Sequence, residues 1–395
     1  MVWPELLTEV FDSTSKRQKP EEFIHDLGSL EQGVMNEKNN YYSPAYSHEL
    51  FDNWPEKGEI SLRPVSKLEN RTLKIGIIIF FLFLAFSCSM KEKSRLSISV
   101  TPDWTLGENE GDLNYIFGGI SGIEEDSEGN IYVLDFKFWN LRKFDQNRKF
   151  VKTIASRGVG PGEISQFPVA MTLKNEKIYV ILINPVLIYD TGGNFLKSFK
   201  PTIFPRYIAI DPAGNIVLAN VNVRAMRQLF YIFDPEGQLK TTFGEGFQAA
   251  NQDFREANEY WHPSSVFISR EGKLYAASPF RYEIRVYNDL KLEKTITRKS
   301  ANYEPPKVLK DEKGKHFQFN GISGLSEYGD YLLVFLQGKE KGRFIEVFDR
   351  KSLKYLGSHQ MDKKGYLMNV SAGGSIFVWD EDQAKIARYK LSINP

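Results

Sequence analysis

The stretch "GNIYVLDFKFWNLRKFDQNRKFVKTIASRGVGPGEISQFP", Gly129 to Pro168, decides the fold. A turn pair, Gly129-Asn130, opens an unbroken apolar run, which marks a buried strand after a tight turn. Some ten residues on, Phe144 is followed by Asp145, whose side chain suits a hairpin turn. The segment "KFVKTIA" then leaves the turn as another strand. The first of these signals recurs as "EKIYVIL" (176–182), "GNIVLAN" (214–220), "GKLYAAS" (272–278), "GDYLLVF" (329–335) and "GSIFVWD" (374–380). The second recurs as Tyr189-Asp190, Phe233-Asp234, Tyr287-Asn288 and Phe348-Asp349, with a degraded sixth copy at Tyr389-Lys390. Successive aromatics are 45, 44, 54, 61 and 41 residues apart.

Four strands per unit and six units of about this period predict an all-β chain, a six-bladed β-propeller with four-stranded antiparallel blades. The sixth unit ends at Ile393 after three strands, while "RLSISVTPDWTLGE" (95–108) is an orphan strand ahead of the first. The orphan is expected to complete the sixth blade, so that the N-terminal strand closes the ring and leaves no open edge.

Upstream of the repeats lies "RTLKIGIIIFFLFLAFSCSMKEK", Arg71 to Lys93. Its apolar run, Ile75–Phe86, is 12 residues. A membrane-crossing helix needs roughly 20, whereas 12 after Arg71 and Lys74 suit the apolar core of a signal peptide. "LAFSC" resembles the lipobox of bacterial lipoproteins, with small Ala85 and Ser87 before the chain's single cysteine. That resemblance implies a signal peptide over 71–87, removal before Cys88, and lipid on Cys88 as the membrane anchor, with 88–94 as a short linker to a propeller over 95–395. Residues 1–70 carry 7 basic against 13 acidic residues and show no sustained period. They are expected to be disordered, or upstream sequence translated from a misassigned start.

The segment "NLRKFDQNRKFVKTIASRGVGPGEISQFP" (140–168) resembles an NHL-type repeat. With the lipobox, 88–395 resembles the bacterial six-bladed β-propeller lipoproteins with NHL-like repeats. Only the first unit carries the full Gly-Pro-Gly-Glu crossover; the second shortens it to "KPTIFP" and the third and fourth expand it. The resemblance implies a chain displayed in the bacterial cell envelope, outside the cytoplasm.

The chain has 395 residues, 42% hydrophobic, with a net charge of +1. A balance so near zero argues against a nucleic-acid partner. The loops between blades, and those between a blade's second and third strands, share one face at the channel mouth. That rim is expected to carry Trp139, Arg157, Arg206, Tyr207, Arg224, Arg227, Trp261, His262, Phe280, Arg281 and Tyr282, together with Phe136, Phe138 and Glu163. Such a rim suits a peptide, glycan or protein ligand. Two insertions, 244–263 and 298–318, exceed the usual connection length, and their aromatics either hold ligand or lid the core.

The other class considered is a metal-dependent hydrolase or lyase, lactonase-like or amidating-lyase-like. No cofactor is expected on the leading reading; the alternative would place calcium or zinc in the channel. After Cys88 the chain has three histidines, His262, His316 and His359, with no ligand spacing. Asn320 and Asn369 could supply amides to a cation, with no carboxylate assignable beside them. The "GPGE" segment lacks the following helix of a phosphate loop and reads as a turn between blades, with Glu163 bonding local backbone.

Overall fold

A computed structural model describes residues 96–394, except 222–227, 250–251, 258–261, 312–313, 362–364 and 372. The expectations that fall on residues 1–95, on Cys88, and on Arg224, Arg227 and Trp261 therefore lie outside the described residues. Ser94–Pro395 makes one compact unit.

Six four-stranded antiparallel sheets follow one another around a ring. Blade 1 is β2 (Ile120–Glu125), β3 (Ile131–Asp135), β4 (Asn140–Phe144) and β5 (Phe150–Ala155). Blade 2 is β6 (Pro168–Lys174), β7 (Lys177–Leu182), β8 (Val186–Asp190) and β9 (Phe195–Phe199). Blade 3 is β10 (Pro205–Ile210), β11 (Ile216–Asn220), β12 (Phe230–Phe233) and β13 (Leu239–Phe243). A short helix, α1 (Gln252–Ala257), precedes blade 4, which is β14 (Ser265–Ile268), β15 (Leu274–Ala277), β16 (Glu283–Asn288) and β17 (Lys291–Thr297). A hairpin, β18 (Lys307–Asp311) and β19 (Gly314–Gln318), leads to blade 5: β20 (Gly321–Tyr328), β21 (Tyr331–Gly338), β22 (Gly342–Asp349) and β23 (Tyr355–Met361). Blade 6 takes β24 (Tyr366–Val370), β25 (Ser375–Asp380) and β26 (Lys385–Asn394) from the C-terminus and β1 (Ser97–Leu106) from the N-terminus. The register of β1 on β26 runs from Ser97 opposite Asn394 to Leu106 opposite Ile386. The expected closure by the N-terminal strand is what the structure shows. The innermost strands β2, β6, β10, β14, β20 and β24 pack each against the next, and β24 returns to β2.

The repeat signals have a packing cause. Second strands such as β3 and β11 are buried along their whole length, because neighbouring blades cover both faces of each sheet. Outer strands such as β9 alternate between half-buried and exposed residues, since one edge meets water. The aromatic of the second signal is core in every blade: Phe144, Tyr189, Phe233, Tyr287, Phe348 and Tyr389 are all at most 5% exposed. Burying each contributes about 1.5–3 kcal/mol. The aspartates that follow cap their turns. Asp145 accepts the Asn147 and Lys149 N–H groups at 2.8 Å, and Asp190 and Asp234 accept those of Asn194 and Gln238 at 2.8 Å. Blade 4 departs from this. Asp289 and Leu290, at φ 47° and 67°, turn the chain in two residues as a type I′ hairpin does, so no capping aspartate is needed.

Candidate binding face

Alternation of strand direction puts two kinds of connection on one face of the ring, here termed the loop face. They are the loop from each outer strand to the next inner strand, and the loop between second and third strands. The hairpin turns lie on the opposite face. Five of the inner strands carry a register shift near their start, at Ile120/Gly122, Pro168/Ala170, Pro205/Tyr207, Ile322/Gly324 and Leu367/Asn369. Each bulge bends its strand as it enters the channel and re-aims one side chain.

Over blade 1 the loop face is organised by one buried ion pair. Asp135, with no exposed surface, closes β3 and receives the backbone N–H groups of Gly118 (2.8 Å), Gly119 (3.2 Å), Lys137 (3.0 Å) and Phe138 (3.1 Å). Arg142 Nη2 donates to the same carboxylate at 3.0 Å. Its Nη1 donates to the carbonyls of Leu113, Asn114 and Ile116, and its guanidinium lies 4.4 Å from the Phe117 ring centroid. One carboxylate and one guanidinium thus tie the loop before β2 to the loop after β3. Sequence reasoning missed both, because an Asp at the end of a strand and an Arg within one carry no signal until the strands are paired.

Next to this clamp, Trp139 takes φ 52° in the β3–β4 turn, and the Arg157 guanidinium lies 4.6 Å from its ring centroid. Arg157 is exposed, in the crossover to blade 2. Glu163 folds back to accept the Gly160 N–H at 2.7 Å, the local backbone bond expected of it. Gly162, at φ +77°, sits where a Cβ would meet Phe195 at 2.7 Å, so the crossover needs glycine to lie flat on blade 2. Four large apolar side chains on this face are exposed to water: Val159 (94% exposed), Leu113 (80%), Phe138 (50%) and Phe204 (48%). All four belong to loop-face connections of blades 1 to 3.

Over blades 3 and 4 two of the described rim residues turn inward. Phe280 and Tyr282 are corrected from rim to core: they are 3% and 5% exposed and sit in the packing of blades 3–4 and 4–5. The Tyr282 hydroxyl donates to the buried Glu346 carboxylate at 2.6 Å, which draws the ring inward. Phe136 is likewise buried, its ring 5.4 Å from that of Phe167. Arg281 stays half-exposed and donates to Glu283 at 2.7 Å. In the first insertion Phe247 is fully buried with the Arg285 guanidinium 4.2 Å from its ring, and Phe254 lies edge-on to Phe280. These aromatics lid the core. The second insertion builds the β18–β19 hairpin, which packs on α1.

Arg206 is half-buried at the bulge of β10, and the Tyr207 hydroxyl donates to the Ser264 carbonyl at 2.7 Å. His262 lies beside Tyr207, ring centroids 6.2 Å apart. Its Nδ1 is 2.7 Å from the Pro263 carbonyl, so the neutral ring carries its proton there and keeps Nε2 as an acceptor. Burial, reinforced by the positive charge of Arg206, pushes its pKa down to about 3. His262 is therefore a neutral ring and not a proton shuttle near pH 7.

The amides find their carboxylates. Asn320 Nδ2 donates to Glu304 at 3.0 Å, and Glu304 also accepts the Glu340 and Lys341 N–H groups, pinning the second insertion to blade 5. Asn369 Nδ2 donates to Glu124 across the blade 6–blade 1 contact at 2.6 Å. Each amide thus bonds one carboxylate. Among the described residues, no three His, Cys, Asp or Glu side chains are arranged to hold a metal ion. His359 lies on β23, the outer strand of blade 5, remote in the fold from His262 on the inner side of blade 4.

A closed ring of six antiparallel sheets, with side-chain display on one loop face, defines a six-bladed β-propeller. The chain belongs to the family DUF5128, described as a 6-bladed beta-propeller, whose profile matches residues 113–364. No curated protein matches the sequence. Among solved structures, a Bacteroides fragilis protein classed as exported is 16% identical, covering 78% of this chain and 98% of its own, with a TM-score of 0.51. The WD40 domain of Neurospora crassa Pan2 is 11% identical, covering 75% and 96%, with a TM-score of 0.50. Virginiamycin B lyase of Staphylococcus aureus is 12% identical, covering 75% and 100%, at a TM-score of 0.45. Likenesses at these identities are of fold alone.

Proposed function

We propose that this protein is a lipid-anchored, extracytoplasmic binding module whose loop face over blades 1 to 3 engages a peptide or protein partner. The observation that carries the reading is the exposed apolar set Leu113, Phe138, Val159 and Phe204 on the face that also carries the Trp139–Arg157 stack. Exposed apolar side chains gathered on a face braced by a buried ion pair are what a preorganised docking surface requires. A glycan would ask for more bare aromatic faces than these residues offer.

The direction of β1 supports the anchor. As the outermost strand of blade 6 it enters on the turn face at Ser97 and leaves on the loop face at Leu106. A lipid on Cys88, nine residues before Ser97, would tether the ring from its turn face and leave the loop face open to a partner. Among the described residues no helix is long and apolar enough to cross a membrane.

The test uses the full chain in a peptide and glycan binding screen, repeated with Val159→Asp and Leu113→Asp. Both sites are exposed, so stability should stay within about 0.5 kcal/mol, while binding of the selected peptide falls at least tenfold. Binding unchanged in both variants refutes the face. For the anchor, mass spectrometry of the membrane fraction should find acyl chains on Cys88, and Cys88→Ala should release the protein. An unmodified Cys88 refutes it.

A further inference from the structure

Four connections on the loop face over blades 1 to 3 are joined by direct contacts. The β3–β4 loop (136–139) touches the crossover to blade 2 (156–167) twice, through the Trp139–Arg157 stack and through the Phe136 and Phe167 rings, 5.4 Å apart. That crossover reaches the β7–β8 loop (183–185), where Gln166 Oε1 accepts the Asn184 N–H at 3.1 Å. Asn184 Nδ2 in turn donates to the Pro201 carbonyl at 3.3 Å, which ties in the crossover to blade 3 (200–204). One strip of surface thus runs over three blades.

The free charge on this strip has one sign. Its charged side chains are Lys137, Arg157, Lys200 and Glu163. The three cations are exposed and, among the described residues, have no acidic partner. Glu163 is turned back on the Gly160 N–H, and Asp135, the acid that ends β3, is held by Arg142. Each cation comes with an exposed apolar side chain from its own connection: Phe138 next to Lys137, Val159 two residues after Arg157, and Phe204 four residues after Lys200. Beyond the strip the sign reverses. The connection from β1 to β2 exposes Glu108, Glu110 and Asp112, and it holds no Lys or Arg between Gly107 and Gly119.

We propose that the occupant of this face is an acidic peptide segment, its carboxylates over Lys137, Arg157 and Lys200 and its large apolar side chains against Phe138, Val159 and Phe204. This rests on the docking face proposed above and adds the chemistry of what docks there. Exposed cations without partners attract an acidic segment and repel a basic one, acting on association rate and on the choice of partner. The apolar side chains give up water only to other apolar groups, so an anionic glycan meets half of the pattern. The acidic flank sets the direction of the bound segment. Its carboxylates stay over the strip, and its neutral or basic end turns toward Leu113, since like charges there would be penalised.

Peptide binding to the full chain tests this. The probes are twelve-residue peptides in which Leu alternates with Glu, with Gln or with Lys, and heparin stands for an anionic glycan. The Leu–Glu peptide should bind best, with an association rate that falls as salt is raised. Lys137→Glu and Lys200→Glu should each weaken it by about fivefold with the urea midpoint unchanged, and the double variant should favour the Leu–Lys peptide. No binding of the Leu–Glu peptide overturns the acidic occupant. Equal binding of the Leu–Gln or Leu–Lys peptide, lost in Val159→Asp, also overturns it but leaves the docking face standing. Binding unmoved by Val159→Asp overturns the face and its occupant together. Heparin bound as tightly as the Leu–Glu peptide, and equally well by Phe204→Ser, overturns the peptide in favour of a glycan.

Discussion

Asp135→Asn tests the claim that one ion pair holds the loop face over blade 1 in shape. The substitution keeps the size of the side chain and removes its charge. The lost charge leaves Arg142, 2% exposed, without its counter-ion. The new amide also turns an NH₂ group toward a cluster of five donors, four of them backbone N–H groups. Breaking a buried pair by removing one partner costs about 3–5 kcal/mol, and a misplaced amide donor adds to this in the same direction. A loss near 4 kcal/mol would be a large part of the stability of a domain, which is typically about 5–15 kcal/mol. Urea unfolding followed by tryptophan fluorescence measures it. Arg142→Met should be costly too, and the double variant should cost less than the sum of the singles by about 1–3 kcal/mol, because the two share one interaction. A loss under about 1 kcal/mol in Asp135→Asn, or strict additivity in the cycle, would show that the loop before β2 is held by something else.

Two further outcomes follow from packing and from charge. Phe247→Ala opens a cavity under the first insertion and removes the ring beneath Arg285, so it should cost about 3–5 kcal/mol; a loss below about 1 kcal/mol in chemical unfolding would mean the insertion is not a lid. His262 holds a folded pKa of about 3 against an ordinary 6.5, so the unfolded chain binds more protons between those values. Its contribution to stability is complete above about pH 6.5 and falls as pH drops, by about a factor of ten in the unfolding constant per unit. His262→Gln should remove that component from the pH profile between 3.5 and 6.5, and an unchanged profile refutes the assignment.

The fold was legible because a propeller writes the same physical demand six times. Each second strand must be apolar on both faces, each third strand must end in a core aromatic, and the turn after it must be capped. Residues such as Tyr132, Phe144 and Asp145 therefore repeat at one period, and the missing strand of the sixth unit points to the orphan at the N-terminus. The rim was legible only by its position. Trp139, Arg157 and Val159 lie in loops that the strand count places on one face, but exposure cannot be counted from a sequence. Phe280 and Tyr282 lie in a loop of the same kind and still turn inward, because Glu346, 64 residues on from Tyr282, offers a buried carboxylate to the tyrosine hydroxyl.

What the sequence alone determined was everything set by neighbours along the chain: strand period, turn chemistry, number of blades and the way the ring closes. What only the tertiary structure decided was everything set by pairing across the ring. Glu124 and Asn369 stand 245 residues apart and meet at 2.6 Å because closure brings blade 6 against blade 1. A glutamate near the end of a strand looks like any solvated carboxylate until closure half-buries it and sets the Asn369 amide against it.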